Sequence, residues 1–257
     1  MTATGRVSAS FVAAWKSFLR RRTAVFFTFF FPVMIILIFG ALVQTRPTGG
    51  GLFTEPPGYY APGYLAVVVL FTPLSRVGSE VARHREGNQF EKLATTPLQR
   101  WEWLLAQTLV NVVVIGLAGL LLLGLVVLVT GANIVLSPLL IPFVGLAVAL
   151  FCGMGAIIGA VADSQDGVIA ASNGIALPLL FLSATFVQPS MLPSWFRPVL
   201  FLSPLTYFSR GVRAATFPQG VSGTMGLPTT PWLYLGVLTV LTIGFFAVGS
   251  YALPQTD

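Results

Sequence analysis

The chain has 257 residues, 55% hydrophobic and 9% charged, with 14 Lys and Arg against 8 Asp and Glu and a mean hydropathy of +0.86. A soluble globular domain carries about 25% charged residues, so this inventory cannot cover a water-facing surface and places the protein in a membrane. Continuous apolar runs such as Leu117 to Val129 lack the in-out alternation of barrel strands, which excludes a transmembrane β-barrel, and the one cysteine, Cys152, excludes a disulfide framework and reads as a small packed hydrophobe.

No charge occurs in residues 23–45, 56–75, 103–162, 167–196 or 214–256. A helix crossing a bilayer needs roughly 20 mostly apolar residues, so the window at 103–162 holds two spans and each of the others one. The fold class is therefore an all-α polytopic membrane protein with six transmembrane helices, one transmembrane domain over residues 1–257.

In chain order, residues 6–22 come first and place Val7, Phe11, Trp15 and Phe18 on one helix face, the pattern of an amphipathic helix lying in the membrane interface. The basic residues sit late and no A-x-A site follows, which argues against a cleaved signal peptide. The first span covers Thr23 to Val43, with Pro32 as a kink, and Gln44 to Gly58 is a Pro/Gly-rich connection. The second covers Tyr60 to Val81, in which Arg76 must lie near an end or face protein. After polar residues Ala82 to Gln99, the third runs from Trp103 to Val129 and ends at the turn Thr130-Gly131-Ala132-Asn133. The fourth covers Pro138 to Val161, the fifth Val168 to Val187 and the sixth Pro231 to Ala252. Between the last two, residues 188–217 are cut by Pro189, Pro193, Pro198 and Pro204 into pieces too short to span, the pattern of two short re-entrant or interfacial helices.

Ten of the 14 Lys and Arg fall on the side of the N-terminus and four on the other, so the positive-inside rule puts both termini in the cytoplasm. No Lys/Arg run is interleaved with aromatics in a polar segment, so nucleic acid is not a partner. The only lysines, Lys16 and Lys92, follow Trp15 and Glu91, so no G-x-x-x-x-G-K-[ST] phosphate loop exists and any ATP use belongs to another polypeptide. H-E-x-x-H and G-x-S-x-G are absent, and the chain reads as non-catalytic, with no cofactor or metal of its own. Asp163 and Asp166 admit two readings: a polar turn capping the fifth span, or a cation-binding pair in a membrane-embedded transferase. A self-sufficient secondary transporter is a further alternative, though such proteins keep ionisable groups at mid-membrane, where this chain offers little beyond Asn111, Asn173 and Arg76.

The polar connection at 82–100 admits two readings, a solvated charged loop that only fixes topology or a built element, and its spacing favours the second. Phe90 and Leu93 share a face of a short helix that must stop near Pro97, because the residue before a proline avoids helical geometry. Thr96 can cap the next helix, with Pro97 at its first position and Gln99 completing a capping box. A short helix, a sharp break and a direct run into the third span form a mechanical element.

The run Glu86-Gly87, Glu91, Leu93 and Thr96-Pro97 resembles the cytoplasmic signature between the second and third spans of ABC-2 type transporter permeases. The segment from Pro193 through Trp195 to Pro204, Thr206 and Tyr207 is similar to that family's Pro-rich stretch before the last span. The resemblance covers essentially the whole chain. It implies a permease working as a homodimer or with a paralogue, docked on two cytoplasmic ATPase subunits that bind ATP and magnesium, exporting a drug, lipid or lipid-linked molecule across the plasma membrane. It further implies that 82–100 is a coupling helix region in which Arg85, Glu86, Gly87, Phe90, Glu91 and Leu93 contact the ATPase while Thr96 and Pro97 set the angle to the third span.

Overall fold

A computed structural model describes residues 2–38, 56–183, 185, 192–217 and 230–254. Among them every regular element is helical: α1 (Ala3–Arg20), α2 (Arg22–Ile36), α3 (Pro57–Glu86), α4 (Gln89–Ala94), α5 (Arg100–Thr130), α6 (Leu140–Val161), α7 (Gln165–Phe181), a 3-10 turn at Arg197–Leu202, α8 (Pro204–Thr216) and α9 (Pro231–Ala252). Four of these, α3, α5, α6 and α9, are long and apolar enough to cross a membrane, so the chain is a multi-pass membrane protein. The first and fifth expected spans hold the shorter α2 and α7, of 15 and 17 residues, and their expected ends at Val43 and Val187 lie outside the described residues. So do the connection at 44–55 and Pro189.

α3 is the hub. Every residue from Gly58 to Leu70 is buried, as befits a helix apolar all round, and α2, α5, α6, α7 and α8 pack against it. The approach of α6 to α3 depends on glycine: a Cβ on Gly155 would lie 2.5 Å from the Leu74 carbonyl oxygen, and one on Gly159 would collide with the Gly78 carbonyl. The Gly155/Gly159 pair thus serves packing within the chain. Cys152, on the same helix, is fully buried.

At 1.5 Å per residue, the 30 residues of α3 and 31 of α5 rise about 45 Å, well beyond a hydrocarbon core of roughly 30 Å. Sequence decides where the excess lies. In α5, Val112 to Val129 is uninterruptedly apolar and rises about 27 Å, while Arg100, Glu102, Gln107 and Asn111 fall in its first twelve residues. In α3, Pro57 to Ser75 is uncharged and Arg76, Glu80, Arg83, Arg85 and Glu86 follow. Both helices therefore project about three turns beyond the apolar layer at the same end.

α1 and α4 pack on that projection. Thr2 caps α1, and Phe18 of its apolar stripe is buried against Val110 and Val114 of α5, with Phe11 and Trp15 alongside. Because Arg6 lies opposite Glu102 and Phe18 opposite Val114, α1 runs alongside α5, and its stripe faces protein. Arg21 breaks the helical path between α1 and α2 (φ −89°, ψ 76°). At the far end, the left-handed Gly131 closes α5 at the expected turn. Ser164 caps α7 by accepting the Gly167 N–H at 3.1 Å, the capping role that the sequence gives to the Asp163–Asp166 turn.

Candidate functional site

The site grows from the end of α3. The Gly87 N–H donates to the Arg83 carbonyl at 3.1 Å and that of Asn88 to Arg85 at 3.0 Å, while Asn88 takes the left-handed conformation (φ 50°) that asparagine tolerates better than most residues. The chain thereby reverses into α4. Six residues cannot hold a helix by themselves in water, and α4 is anchored by Phe90, whose ring lies 5.4 Å from His84 and 5.5 Å from Trp103, those two being 5.3 Å apart. Phe90 is buried and Leu93 half-buried. Gly87, Glu91, Lys92, Thr96 and Pro97 are exposed. Phe90 is thus a wedge between α3 and α5, and the polar face of α4 is open.

The exit from α4 differs from expectation. The Thr95 and Thr96 hydroxyls donate to the Lys92 and Leu93 carbonyls at 2.8 and 2.6 Å, so Thr96 closes α4 instead of opening the next helix. α5 starts three residues later: the Glu102 carboxylate accepts the Gln99 N–H at 2.9 Å, moving the capping box to Gln99 and Glu102. Glu102 is fully buried and also accepts from Arg6 at 2.9 and 2.6 Å, a two-pronged ion pair that pins α1 to the first turn of α5. Hydrogen bonding to Glu102 raises the Arg6 guanidinium above its already high usual pKa, so Arg6 stays charged.

Half-buried Arg85 and exposed Glu86 direct their bonds away from α4. One Arg85 nitrogen donates to the carbonyls of Gly159, Ala160 and Ala162 at 3.3, 2.8 and 3.0 Å, and Glu86 accepts from the backbone N–H and side-chain amide of Gln165 at 3.1 and 2.9 Å. The last turn of α3 is thereby tied to the end of α6 and the start of α7. Arg100 reaches the Tyr251 carbonyl at 2.8 Å and ties α5 to the end of α9. Glu80 holds Arg83 and, at 3.4 Å, Arg21. Two clefts flank α4: one of about 770 Å³ among α1, α3, α4 and α5, reaching inward to Gln107, and one of about 1130 Å³ among α4, α5 and the end of α9.

Arg76 sits where the projection begins, its guanidinium 4.2 Å over the Phe18 ring and 3.4 Å from the Asn111 amide oxygen, so it faces protein as its cost in a span requires. The Pro-rich segment lies elsewhere. Pro204 starts α8, Tyr207 donates to the Phe201 carbonyl at 3.0 Å, Pro193 and Trp195 are exposed, and Ser203 and Ser209 donate to the carbonyls of Leu179 in the last turn of α7 and of Ser183 just past it. The buried Arg213 of α8 donates to the Tyr59 carbonyl at 3.2 Å, at the opposite end of α3 from Glu86 and roughly 40 Å away along the helix. Sequence reasoning missed the Arg6–Glu102 pair; its one signal is a carboxylate beside two tryptophans at a helix start.

A family model for the ABC-2 type transporter matches residues 6–217, a stretch that runs from α1 through α8. A search of curated proteins finds no match. With the matched stretch holding both the α3–α4–α5 connection and the Pro-rich segment, the chain belongs to the ABC-2 type transporter family.

Proposed function

We propose that this chain is the membrane subunit of an ATP-driven exporter, a permease without catalysis of its own, moved by ATP hydrolysis on two separate cytoplasmic ATPase subunits that hold the nucleotide and its magnesium. The observation that carries the reading is α4: a six-residue helix with an exposed polar face, wedged by Phe90 between two helices that continue without interruption into the apolar layer. A push on the Glu91 face is delivered through Phe90 to His84 on α3 and Trp103 on α5, and through the Arg6–Glu102 pair to α1, with little slack at any step.

In this reading α2 and α7 complete six spans, α4 and both termini face the cytoplasm of the plasma membrane, and two copies, or one copy and a paralogue, form the conduit for a drug, lipid or lipid-linked substrate. The excess of Lys and Arg on the α4 side supports the orientation. The segment from Arg197 to Thr216, anchored to the end of α7 and to Tyr59, is the re-entrant element facing outward. Arg85, Glu86, Gly87, Phe90, Glu91, Leu93, Thr96 and Pro97 make up the coupling region.

Glu91→Arg tests the proposal because the side chain is exposed and its replacement disturbs no internal bond of the described residues. The variant should insert and melt as the unaltered chain does, while stimulation of ATP hydrolysis in the reconstituted complex falls to the level of the ATPase alone. Full stimulation by Glu91→Arg would remove α4 from the coupling role.

A further inference from the structure

The bonds made by Arg85 and Glu86 have a chemistry of their own. The last carbonyls of a helix have no N–H partners within it and carry partial negative charge, and the first N–H groups of a helix carry the opposite charge. Arg85 places its cation on three carbonyls at the end of α6, and Glu86 places its carboxylate on the Gln165 N–H and amide at the start of α7. Adjacent residues of opposite sign thus grip the two helix ends that meet at the 162–165 turn. Each has its side-chain bonds directed to that turn, on α6 and α7, while the Phe90 wedge of α4 lies between α3 and α5.

We propose that Arg85 and Glu86 are positioning residues that latch α3 to the α6–α7 turn, so that motion received at α4 is passed to α7 as well as α5, and that they do this without touching the ATPase. The inference rests on the proposed function for the origin of the motion, but the latch itself is a property of the chain. Its signs matter: Arg85→Glu with Glu86→Arg would put a like charge against each helix end and weaken the latch more than Arg85→Gln or Glu86→Gln.

The test uses the full chain in nanodiscs with spin labels at Lys92→Cys on α4 and Ala170→Cys on α7, both exposed sites; the native Cys152 is buried and stays unlabelled. In the permease alone, Arg85→Gln and Glu86→Gln should broaden the distance distribution between the labels relative to the unaltered latch. In the complex with its ATPase, ATP and vanadate should leave that distance unchanged when the latch is intact and shift it in both variants. ATPase affinity should stay within about twofold while stimulated hydrolysis falls about tenfold, within the range of allosteric couplings. A short thiol crosslinker joining Glu86→Cys to Gln165→Cys should restore coupling, which a merely misfolded variant would not allow. Unbroadened distributions in the variants would overturn the latch, as would a tenfold loss of ATPase affinity, which would make these residues contacts of the partner. Failure of the ATPase to bind the unaltered chain would sink the proposed function, while the broadening in the permease alone would still decide the latch.

Discussion

A buried carboxylate is tolerable only while its partner stays in place, and Glu102 is the clearest case in this molecule: it closes the cap of α5 through Gln99 and takes two bonds from Arg6. Removing Arg6 alone strips the carboxylate, which has no exposed surface in the folded chain, of its partner, which is worse than removing both charges. Arg6→Ala should therefore lower the melting temperature more than Arg6→Ala combined with Glu102→Gln, measured by thermal unfolding in detergent. Equal melting temperatures would mean that the pair carries no coupling. Nothing at position 6 announces a partner 96 residues later, so the ion pair was invisible in the sequence, whereas Phe90 and Leu93 at helical spacing before Pro97 announced α4 plainly. The bonds of Arg85 and Glu86, which the family resemblance presents as contacts of the ATPase, were hidden for a related reason. Their partners are mainly backbone groups at the ends of α6 and α7, and a backbone carbonyl leaves no mark in the order of side chains.

Among elements, the crossing of α3 and α6 sets how closely the bundle can pack. Gly155 and Gly159 lie against Leu74, Gly78 and Val81, and an added methyl meets backbone at both positions and the Val81 Cβ as well at Gly159. Gly155→Ala should destabilise the fold by about 1–3 kcal/mol, the range for forcing extra volume into a packed site. Gly174→Ala, on α7 with nothing within 4 Å of the new methyl, should be neutral or slightly stabilising by helix propensity. Equal effects at the two positions, measured by unfolding in the same detergent, would show that the crossing is not limiting. Element boundaries were legible where turn chemistry is unambiguous, as at Gly131, and misplaced by three residues at α5. There Thr96 and Gln99 both fit a cap, and the choice falls to Glu102, whose burial beside Arg6 is a tertiary fact.

For the whole molecule, the distribution of charge is the organising feature. Charges concentrate on the projections of α3 and α5 and on what packs there, so one end of the bundle carries a built polar structure and the apolar layer carries almost none. Hydropathy alone told of a multi-pass membrane protein. It could not tell that two spans overshoot the apolar layer, because that depends on α3 and α5 staying helical through their charged ends. The ends should be distinguishable from outside: a membrane-impermeant maleimide should reach Lys92→Cys and Trp232→Cys, both at exposed positions, from opposite faces of sealed vesicles. Labelling of both from one face would break the proposed topology.

The account stands or falls on α4 as the place where the ATPase pushes. A photo-crosslinking amino acid at Glu91, with a second chain carrying it at the exposed Leu202 near the other end, tests this in membranes containing the complete transporter. The account predicts an adduct with the ATPase from position 91 and none from position 202. An adduct from 202, or the lack of one from 91 in a complex that hydrolyses ATP, would contradict it.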